Sequence, residues 1–566
     1  MAAMQGVSTR TVPPAVRGKP SGLPFHARFT DIAQQAGLLK PVIYGGVSDK
    51  QYILETVGCG VAFVDYDNDG WLDIFVLSGT RFGTAPEEAT NRLYHNNRNG
   101  TFTDVTDKAG LRRTGWASAV TVGDYNNDGF EDLFVTYWGQ NVLYKNNGNG
   151  TFTDVTEKAG LLHPVRRWGS GCTFVDYNRD GYLDLFVGSY LDFDPKRVPK
   201  PGEASNCNWK GVPVNCGPKG LPPGRVYLYK NRGDGTFEDV SEASGVSKSK
   251  GSYCMTTVAA DFDNDGWPDV YVACDSTPSF LFRNNKNGTF TDIGLESGVA
   301  LNEDGMEQAG MGVGIGDFNL DGNLDIFKTH FADDTHILYR NDGKGNFEDV
   351  TIRAGLGVET RYIAWGTGIE DLDNDGLPDL FLVTGSVYPE VEKKLPNYPF
   401  KTPRVIFRNL GGGKFEELID QAGPGIAATH ASRGCAFGDF DNDGDIDVVV
   451  VNMNEPPSLL RNDVTGGGNW LKVKLVGVKS NRSAIGGRIT ARYGGKTQAR
   501  QVVSQSSFYS ASDPRQHFGL GTEKSADLEI RWPNGATEKV LKVGANQLVT
   551  IREGAGIVSA EHWNRG

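Results

Sequence analysis

The chain has no apolar run approaching the roughly 18 residues that a membrane-spanning helix needs, so a helical transmembrane segment is excluded. It has no excess of positive charge: 57 Lys and Arg stand against 70 Asp and Glu, for a net charge of −13. A basic nucleic-acid footprint is excluded with it. Cysteine is scarce, seven in 566 residues, and no pair is spaced C-x-x-C, which argues against a zinc ribbon. No G-x-S-x-G, H-E-x-x-H or phosphate-cradling glycine loop occurs, so none of these catalytic motifs can be read. Residues 1–22 are rich in Pro, Gly, Thr and Arg and contain no apolar core of the kind a signal peptide carries.

Glycine, in contrast, is abundant: 74 residues, nearly twice the usual share of roughly 7%. With no G-X-Y period, these glycines must serve many turns. The turns belong to a repeat. An acidic loop of the form D-x-[DN]-x-D-G-x-x-D begins at Asp65, Asp124, Asp176, Asp261, Asp317, Asp371 and Asp439, at intervals of 59, 52, 85, 56, 54 and 68 residues. A second phrase, of the type L-Y-x-N-N-x-N-G-T-F-T-D-V, recurs around Phe102, Phe152, Phe237, Phe290, Phe347 and Phe415. The seventh loop lacks it. The missing copy stands at the other end of the chain, at Phe29-Thr30-Asp31-Ile32.

Each loop is flanked by short apolar runs, such as Val61–Val64 before the first and Ile74–Leu77 after it, which is strand chemistry. Asn-Gly pairs at Asn99-Gly100, Asn149-Gly150 and Asn287-Gly288 predict two-residue type I′ hairpins, whose central residues both need positive φ. About four strands per repeat of roughly 60 residues describe a propeller blade. A displaced copy that supplies the outer strand of the last blade closes the ring and leaves no open edge. The fold class is therefore all-β: a seven-bladed β-propeller over residues 25–465, preceded by a flexible segment, 1–24. Period-two alternation in Trp470–Val476 and Ala526–Trp532 predicts a small β-sandwich over 468–553, followed by a tail, 554–566. Its Arg482, Arg488, Arg492, Arg500 and Arg515 are candidates for docking on the acidic propeller.

Oxygen ligands at alternate positions, with a glycine at the sharp turn, suit a hard cation, and Ca²⁺ takes 6–8 oxygens. An EF-hand would carry Glu at position twelve, where these loops have Val, Leu or Lys, so they are not EF-hands. The candidate ligands are positions 1, 3, 5 and 9, with a backbone carbonyl at 7. They are Asp65, Asp67, Asp69 and Asp73; Asp124, Asn126, Asp128 and Asp132; Asp176, Asn178, Asp180 and Asp184; Asp261, Asp263, Asp265 and Asp269; Asp317, Asn319, Asp321 and Asp325; Asp371, Asp373, Asp375 and Asp379; and Asp439, Asp441, Asp443 and Asp447. Seven such clusters repel without counter-charge, and seven Ca²⁺ would almost cancel the net charge of −13. The competing reading is Asp/Asn turn chemistry without metal. The fourth carboxylate, kept in all seven loops, favours up to seven Ca²⁺ with a structural role.

With these loops the chain resembles the FG-GAP/VCBS repeat propellers, the calcium-loop blades also seen in integrin α-subunit heads. Ser483-Ala-Ile-Gly-Gly-Arg488 through Trp532-Pro-Asn-Gly535 resembles an ASPIC/UnbV domain. The combination is similar to the cartilage acidic protein family and its bacterial relatives, from about residue 25 onward. The resemblance implies secretion and calcium binding.

An insertion, 191–224, lengthens the third repeat and is rich in Pro and Gly. Its Cys207 and Cys216 are a candidate disulfide closing a surface loop with no core of its own, which would mean an oxidising compartment. Cys254 and Cys274 flank loop four, either as buried thiols or as a bridge. On the face opposite the acidic loops, around the mouth of the channel, stand Glu55, Trp116, Trp168, Tyr190, Glu307, His330, Asp333, Trp365, His430 and Arg433. Aromatics with a few charges suit a binding surface for protein or glycan. The alternative is an enzyme acting on a glycan or secondary metabolite, with His330, Glu307 and Asp333 in acid–base roles. Localisation is expected to be extracellular, periplasmic or at the cell surface, with the cytoplasm as the alternative.

Overall fold

The structure is a computed structural model that describes residues 6–8 and 10–563. Parts of the expected first segment and tail, residues 1–5, 9 and 564–566, lie outside the described residues. Among the described residues no helix is long and apolar enough to cross a membrane.

Four strands form on each acidic loop because apolar, β-branched and aromatic runs are cut at regular intervals by Asp, Asn and Gly. The first set is Val61–Val64, Asp73–Val76, Arg92–Asn96 and Phe102–Asp104, hydrogen-bonded in that order as an antiparallel sheet. Six further sets repeat it, with inner strands Trp116–Gly123, Arg167–Val175, Cys254–Ala260, Val313–Gly316, Ala364–Glu370 and Ser432–Gly438. The second and third sets are also joined through Arg167–Trp168 and Trp138–Gly139. In the last set the outer strand is Phe29–Asp31, which pairs antiparallel with Ser458–Asn462. The inner strands pack against one another in chain order, and the last returns to the first.

The Asn-Gly turns differ from expectation. Asn97 N–H donates to Thr101 O, and positive φ falls on Arg98 and Gly100, not on Asn99. Asn99 instead turns its Oδ1 to the N–H of Thr101. The side chain closes the loop, so a longer turn replaces the two-residue one.

One asparagine per repeat ties the ring together. The Asn ending the third strand sends its Nδ2 to the carbonyl of loop position two in the preceding repeat. The pairs are Asn96 to Phe440 at 2.8 Å, Asn146 to Tyr66 at 2.7 Å, Asn231 to Tyr125 at 2.8 Å, and Asn284 to Tyr177 at 2.8 Å. Asn341 to Phe262 at 2.7 Å, Asn409 to Phe318 at 2.8 Å and Asn462 to Leu372 at 2.8 Å complete the cycle. All seven asparagines are buried.

The carboxyl-terminal domain has two four-stranded sheets. One runs Gln516–Gly521, Asn469–Val476, Gln547–Arg552, Gly556–His562; the other runs Lys496–Gln501, Arg488–Tyr493, Ser525–Arg531, Thr537–Gly544. The boundary expected at residue 553 is wrong: Gly556–His562 pairs with Gln547–Arg552 and is part of the domain. The segment from Val502 to Asp513 leaves the domain and threads the ring. Its Tyr509 O accepts from Val120 N–H, Ser507 exchanges two bonds with Val313, and Ala511 exchanges two with Val61 and Phe63. Gln505 Oε1 accepts from Cys172 N–H, Ser507 Oγ from Thr367 N–H, and Phe437 O from Asp513 N–H. The inner strands have an unpaired edge facing the axis, and this plug satisfies it.

The first segment carries no helix or strand between Arg10 and Pro24, yet it is tied down. Val12 and Ala15 donate main-chain bonds to Asp333 and Gly357, and Arg17 pairs with Glu417 at 2.6 Å.

Replacing Asn284 by Ala leaves the buried carbonyls of Tyr177 and Pro268 without donors. That substitution is expected to cost about 2 kcal/mol or more, whereas Asn285→Ala, in a partly exposed neighbour, costs under about 1 kcal/mol. Denaturant unfolding of the two variants checks this; equal, small losses would contradict the stapling role.

Candidate metal centres and the capped face

The acidic loops share one local design. In six of the seven loops the first Asp accepts two main-chain bonds, as at Asp176, whose oxygens take the N–H groups of Asp180 and Gly181, both at 3.1 Å; Asp261 accepts one, from Gly266. Position four is left-handed in every loop, with φ between 56° and 61° at Asn68, Asn127, Arg179, Asn264, Leu320, Asn374 and Asn442. Glycine follows at position six with φ between 86° and 94°, which a side chain tolerates poorly. The Asp at position nine is at most 3% exposed in all seven loops. One of its oxygens takes the N–H of the stapling asparagine, at 2.7–2.9 Å throughout.

Turn chemistry thus accounts for many of these oxygens, but not all. Asp67 Oδ1, Asp73 Oδ2, Asp261 Oδ1 and Asp441 Oδ1 are buried without a hydrogen-bond donor. Carboxylate oxygens of Asp65, Asp67 and Asp69, of Asp261, Asp263 and Asp265, of Asp371, Asp373 and Asp379, and of Asp439, Asp441 and Asp447 converge within 4.8 Å. Those groups can hold a metal ion, and the donor set fits a hard cation. The loops at Asp124, Asp176 and Asp317 carry Asn126, Asn178 and Asn319 at position three, so fewer carboxylates converge there. The amides of Asn178 and Asn319 instead donate to Asp180 and Asp321, at 2.8 and 2.9 Å.

Burial comes first, and neighbouring aspartates add to it, in pushing these carboxyls up: Asp73 to about 9, Asp441 to about 8, Asp375 and Asp176 to about 7, Asp124 to about 6.

The carboxyl-terminal domain covers this face. Lys472 Nζ lies 3.1 Å from Asp439 Oδ2, Arg531 pairs with Asp261, and the Ala499 N–H donates to Asp317 Oδ2 at 3.0 Å. Of the expected docking arginines, Arg515 reaches Asp439 O, Arg488 reaches Gly322 O, Arg500 pairs with Glu370 and Arg482 donates its N–H to Asn127. Arg492 does not dock; it pairs with Glu529 on its own sheet. Lys472 and Arg531, which dock most directly, alternate with apolar residues and read from sequence as strand surface.

On the opposite face most of the expected ligand residues are packed away. Trp116, Trp168, Tyr190, Trp365, Arg433, His330 and Glu55 are buried. Glu55 takes the N–H groups of Gly46, Gln51 and Tyr52. Tyr190 stands edge-on to Trp168 at 4.9 Å and donates to Asp275 at 2.6 Å. Arg433 lies over Trp365 at 4.1 Å and donates to the carbonyls of Thr56 and Ser386. Glu307, Asp333 and His330 are engaged by different partners, Lys219, Lys210 and Asp334, so they are not assembled as one acid–base cluster. His430 pairs with Glu455.

The cover is the insertion. Cys207 and Cys216 are disulfide-bonded, as expected, but the loop they close is not coreless. Trp209 is 2% exposed and packs on Phe331, Tyr388 and Tyr398. Cys254 and Cys274 face each other in register as free thiols.

The FG-GAP-like repeat pattern matches residues 65–135, 124–187, 220–272, 261–328 and 401–483, more than half of the chain. The chain is an FG-GAP repeat protein. Its carboxyl-terminal domain matches ASPIC and UnbV over residues 477–558. The loop at Asp371 lies outside the matched repeats yet has the same geometry. Among curated proteins it is similar to cartilage acidic protein 1 of Mus musculus, 26% identical over 515 residues, which are 84% of this chain and 70% of that protein. The Homo sapiens protein is 28% identical over 316 residues, 54% of this chain and 44% of that protein. Distant likenesses among solved structures include an Agrocybe aegerita lectin described as recognising non-reducing terminal N-acetylglucosamine (18% identity, TM-score 0.34, 64% of this chain and 79% of that one). BBS1N in complex with ARL6DN is another (9% identity, TM-score 0.39, 71% and 93%).

The raised carboxyls of this FG-GAP repeat protein give a signed pH dependence. Each binds its proton more tightly in the folded than in the unfolded chain, so its contribution is present at low pH and is lost as pH rises through the folded value. Chelator-treated protein is expected to lose about 2 kcal/mol or more between about pH 6 and 9, where these groups titrate. Denaturant unfolding across that window checks it; stability that rises with pH in the metal-free protein would contradict it.

Proposed function

We propose that the seven sheets are the blades of a seven-bladed β-propeller whose loops bind Ca²⁺, and that the protein works outside the cytoplasm as a binding protein for a protein or glycan partner. The Cys207–Cys216 disulfide supports the oxidising compartment. The donor-free buried carboxylate oxygens support the metal, and the all-oxygen groups around Asp261 and Asp441 favour calcium over softer ions.

The observation that carries the binding role is the rim of the capped face. Tyr52, Phe82, Trp138 and Phe193 form a contiguous aromatic cluster with centroids 5.0–6.2 Å apart. Phe82 is 36% exposed, and Arg166 lies over Trp138 at 4.6 Å. Leu162 and Val165 beside it are more than half exposed. Aromatic rings framed by an arginine suit both sugar stacking and protein hot spots. The rim stands where the buried mouth residues were expected to act.

The test is to screen the calcium-loaded chain on glycan arrays and on immobilised extracellular-matrix proteins. Phe82→Ala combined with Trp138→Ala should weaken any binding about tenfold or more with little change in Tm, while Glu307→Gln leaves binding intact. Binding that survives the aromatic double substitution would contradict this placement.

A further inference from the structure

Six of the seven repeats place a fixed positive charge immediately before the stapling asparagine: Lys145, Lys230, Arg283, Arg340, Arg408 and Arg461. Lys145 shows its use, reaching Asp128 of its own loop at 3.1 Å. The first repeat has His95 instead. An imidazole differs from those cations in kind, because it can offer a nitrogen lone pair.

The environment of His95 has room for an ion. Its Nδ1 lies 3.1 Å from Asp73 Oδ1 and 3.5 Å from Asp67 Oδ2, yet it is buried and makes a hydrogen bond to neither. Asp73 is 1% exposed, and its Oδ2 has no donor. In the other six loops the equivalent oxygen accepts the N–H of loop residue two, at 3.1–3.3 Å. Asp67 Oδ1 is likewise without a donor. Arg98 holds Asp69 Oδ2 at 2.6 and 3.0 Å, and Asp67 is shared between the Asp65–Asp67–Asp69 group and the group that includes His95. One nitrogen and two carboxylates within 4.8 Å of one another therefore converge. Tyr66 stands edge-on to the imidazole and fixes its plane.

We propose that the first loop is a transition-metal site, binding a Zn²⁺-like borderline cation through His95 Nδ1, Asp67 and Asp73, while the other six remain oxygen-only loops. This rests on the reading that the loops bind metal and differs from it in the ion. Imidazole nitrogen suits zinc, cobalt or nickel better than calcium, and Zn²⁺ also takes Asp and Glu oxygens. Part of the imidazole is open to solvent, which leaves a path for loading and a position for water.

The full chain is dialysed against excess calcium with micromolar zinc, and both metals are counted by mass spectrometry. The wild type should retain one zinc per chain, and cobalt in its place should give the visible absorption of a nitrogen-ligated site. His95→Lys, which installs the residue of the second and third repeats, should weaken zinc retention by more than about tenfold without lowering the calcium count, and with little change in the Tm measured in calcium without zinc. No retained zinc in the wild type, or zinc equally retained by His95→Lys, overturns the proposal. Calcium bound without zinc defeats this inference alone. Zinc bound through His95 in a chain that takes up no calcium defeats the calcium reading and leaves this one standing.

Discussion

A carboxylate shut away from water must find a proton, a donor or a cation, and this fold places one such group at the ninth position of each acidic loop. That group has three connections. It sits where the second strand begins, so it belongs to the repeat's own hairpin. One oxygen receives the N–H of the asparagine ending the third strand, and that asparagine grips the preceding repeat. In six loops the other oxygen takes the N–H of loop residue two, and at Asp73, Asp379 and Asp447 the carboxylate also converges with other loop aspartates. Strand pairing, the cyclic contact between repeats and the charge of the loop are therefore set by the same few atoms. Repelling the carboxylates from one another strains all three together, and a cation shared among them relaxes all three.

The second domain takes its place from the same electrostatics. Lys472, Arg531 and the Ala499 N–H approach the first carboxylates of loops seven, four and five, and the plug from Val502 to Asp513 enters the ring from that side. The plug supplies what the inner strands lack, partners for an edge that faces the axis. The plug pairs with the inner strands from one end, and the disulfide-bonded insertion packs through Trp209 on Phe331 and Tyr388 at the other. Surface chemistry available to a partner is then at the rim, where Phe82 and Trp138 remain partly open.

The loops, their period and the displaced strand at Phe29 were legible because each is a local pattern repeated seven times, and repetition separates a rule from an accident. The stapling asparagine is equally repeated, but it passes as one letter of the recurring phrase, since its partner lies in another repeat and no spacing within one repeat points to it. Of the mouth residues, Trp116, Trp168, Trp365 and Arg433 lie near the starts of inner strands, whereas Glu55 lies in a short helix and Glu307, His330, Asp333 and His430 lie outside the strands. The burial of the tryptophans depends on partners remote in sequence, such as Phe82 on Trp116, Phe193 on Trp168 and Phe508 on Trp365, which no local pattern announces. Val502–Asp513 carries serines and aromatics in no alternating order and reads as a loop; only the closed ring around it makes it a core element. Arg98 and Gly100 take the positive φ expected of an Asn-Gly pair because Asn99 bonds with its side chain, a choice that composition does not distinguish.

We propose that the loops are cation sites and that the bound cations hold both domains together. The most direct measurement is calorimetric unfolding of the full chain with calcium and with excess chelator, alongside a count of bound metal. Several calcium ions per chain, and a large fall in Tm on chelation that moves the repeat ring and the carboxyl-terminal domain in one transition, are the predicted result. An unchanged Tm with no bound calcium would contradict it, and would leave a ring held by packing, asparagine staples and the plug alone.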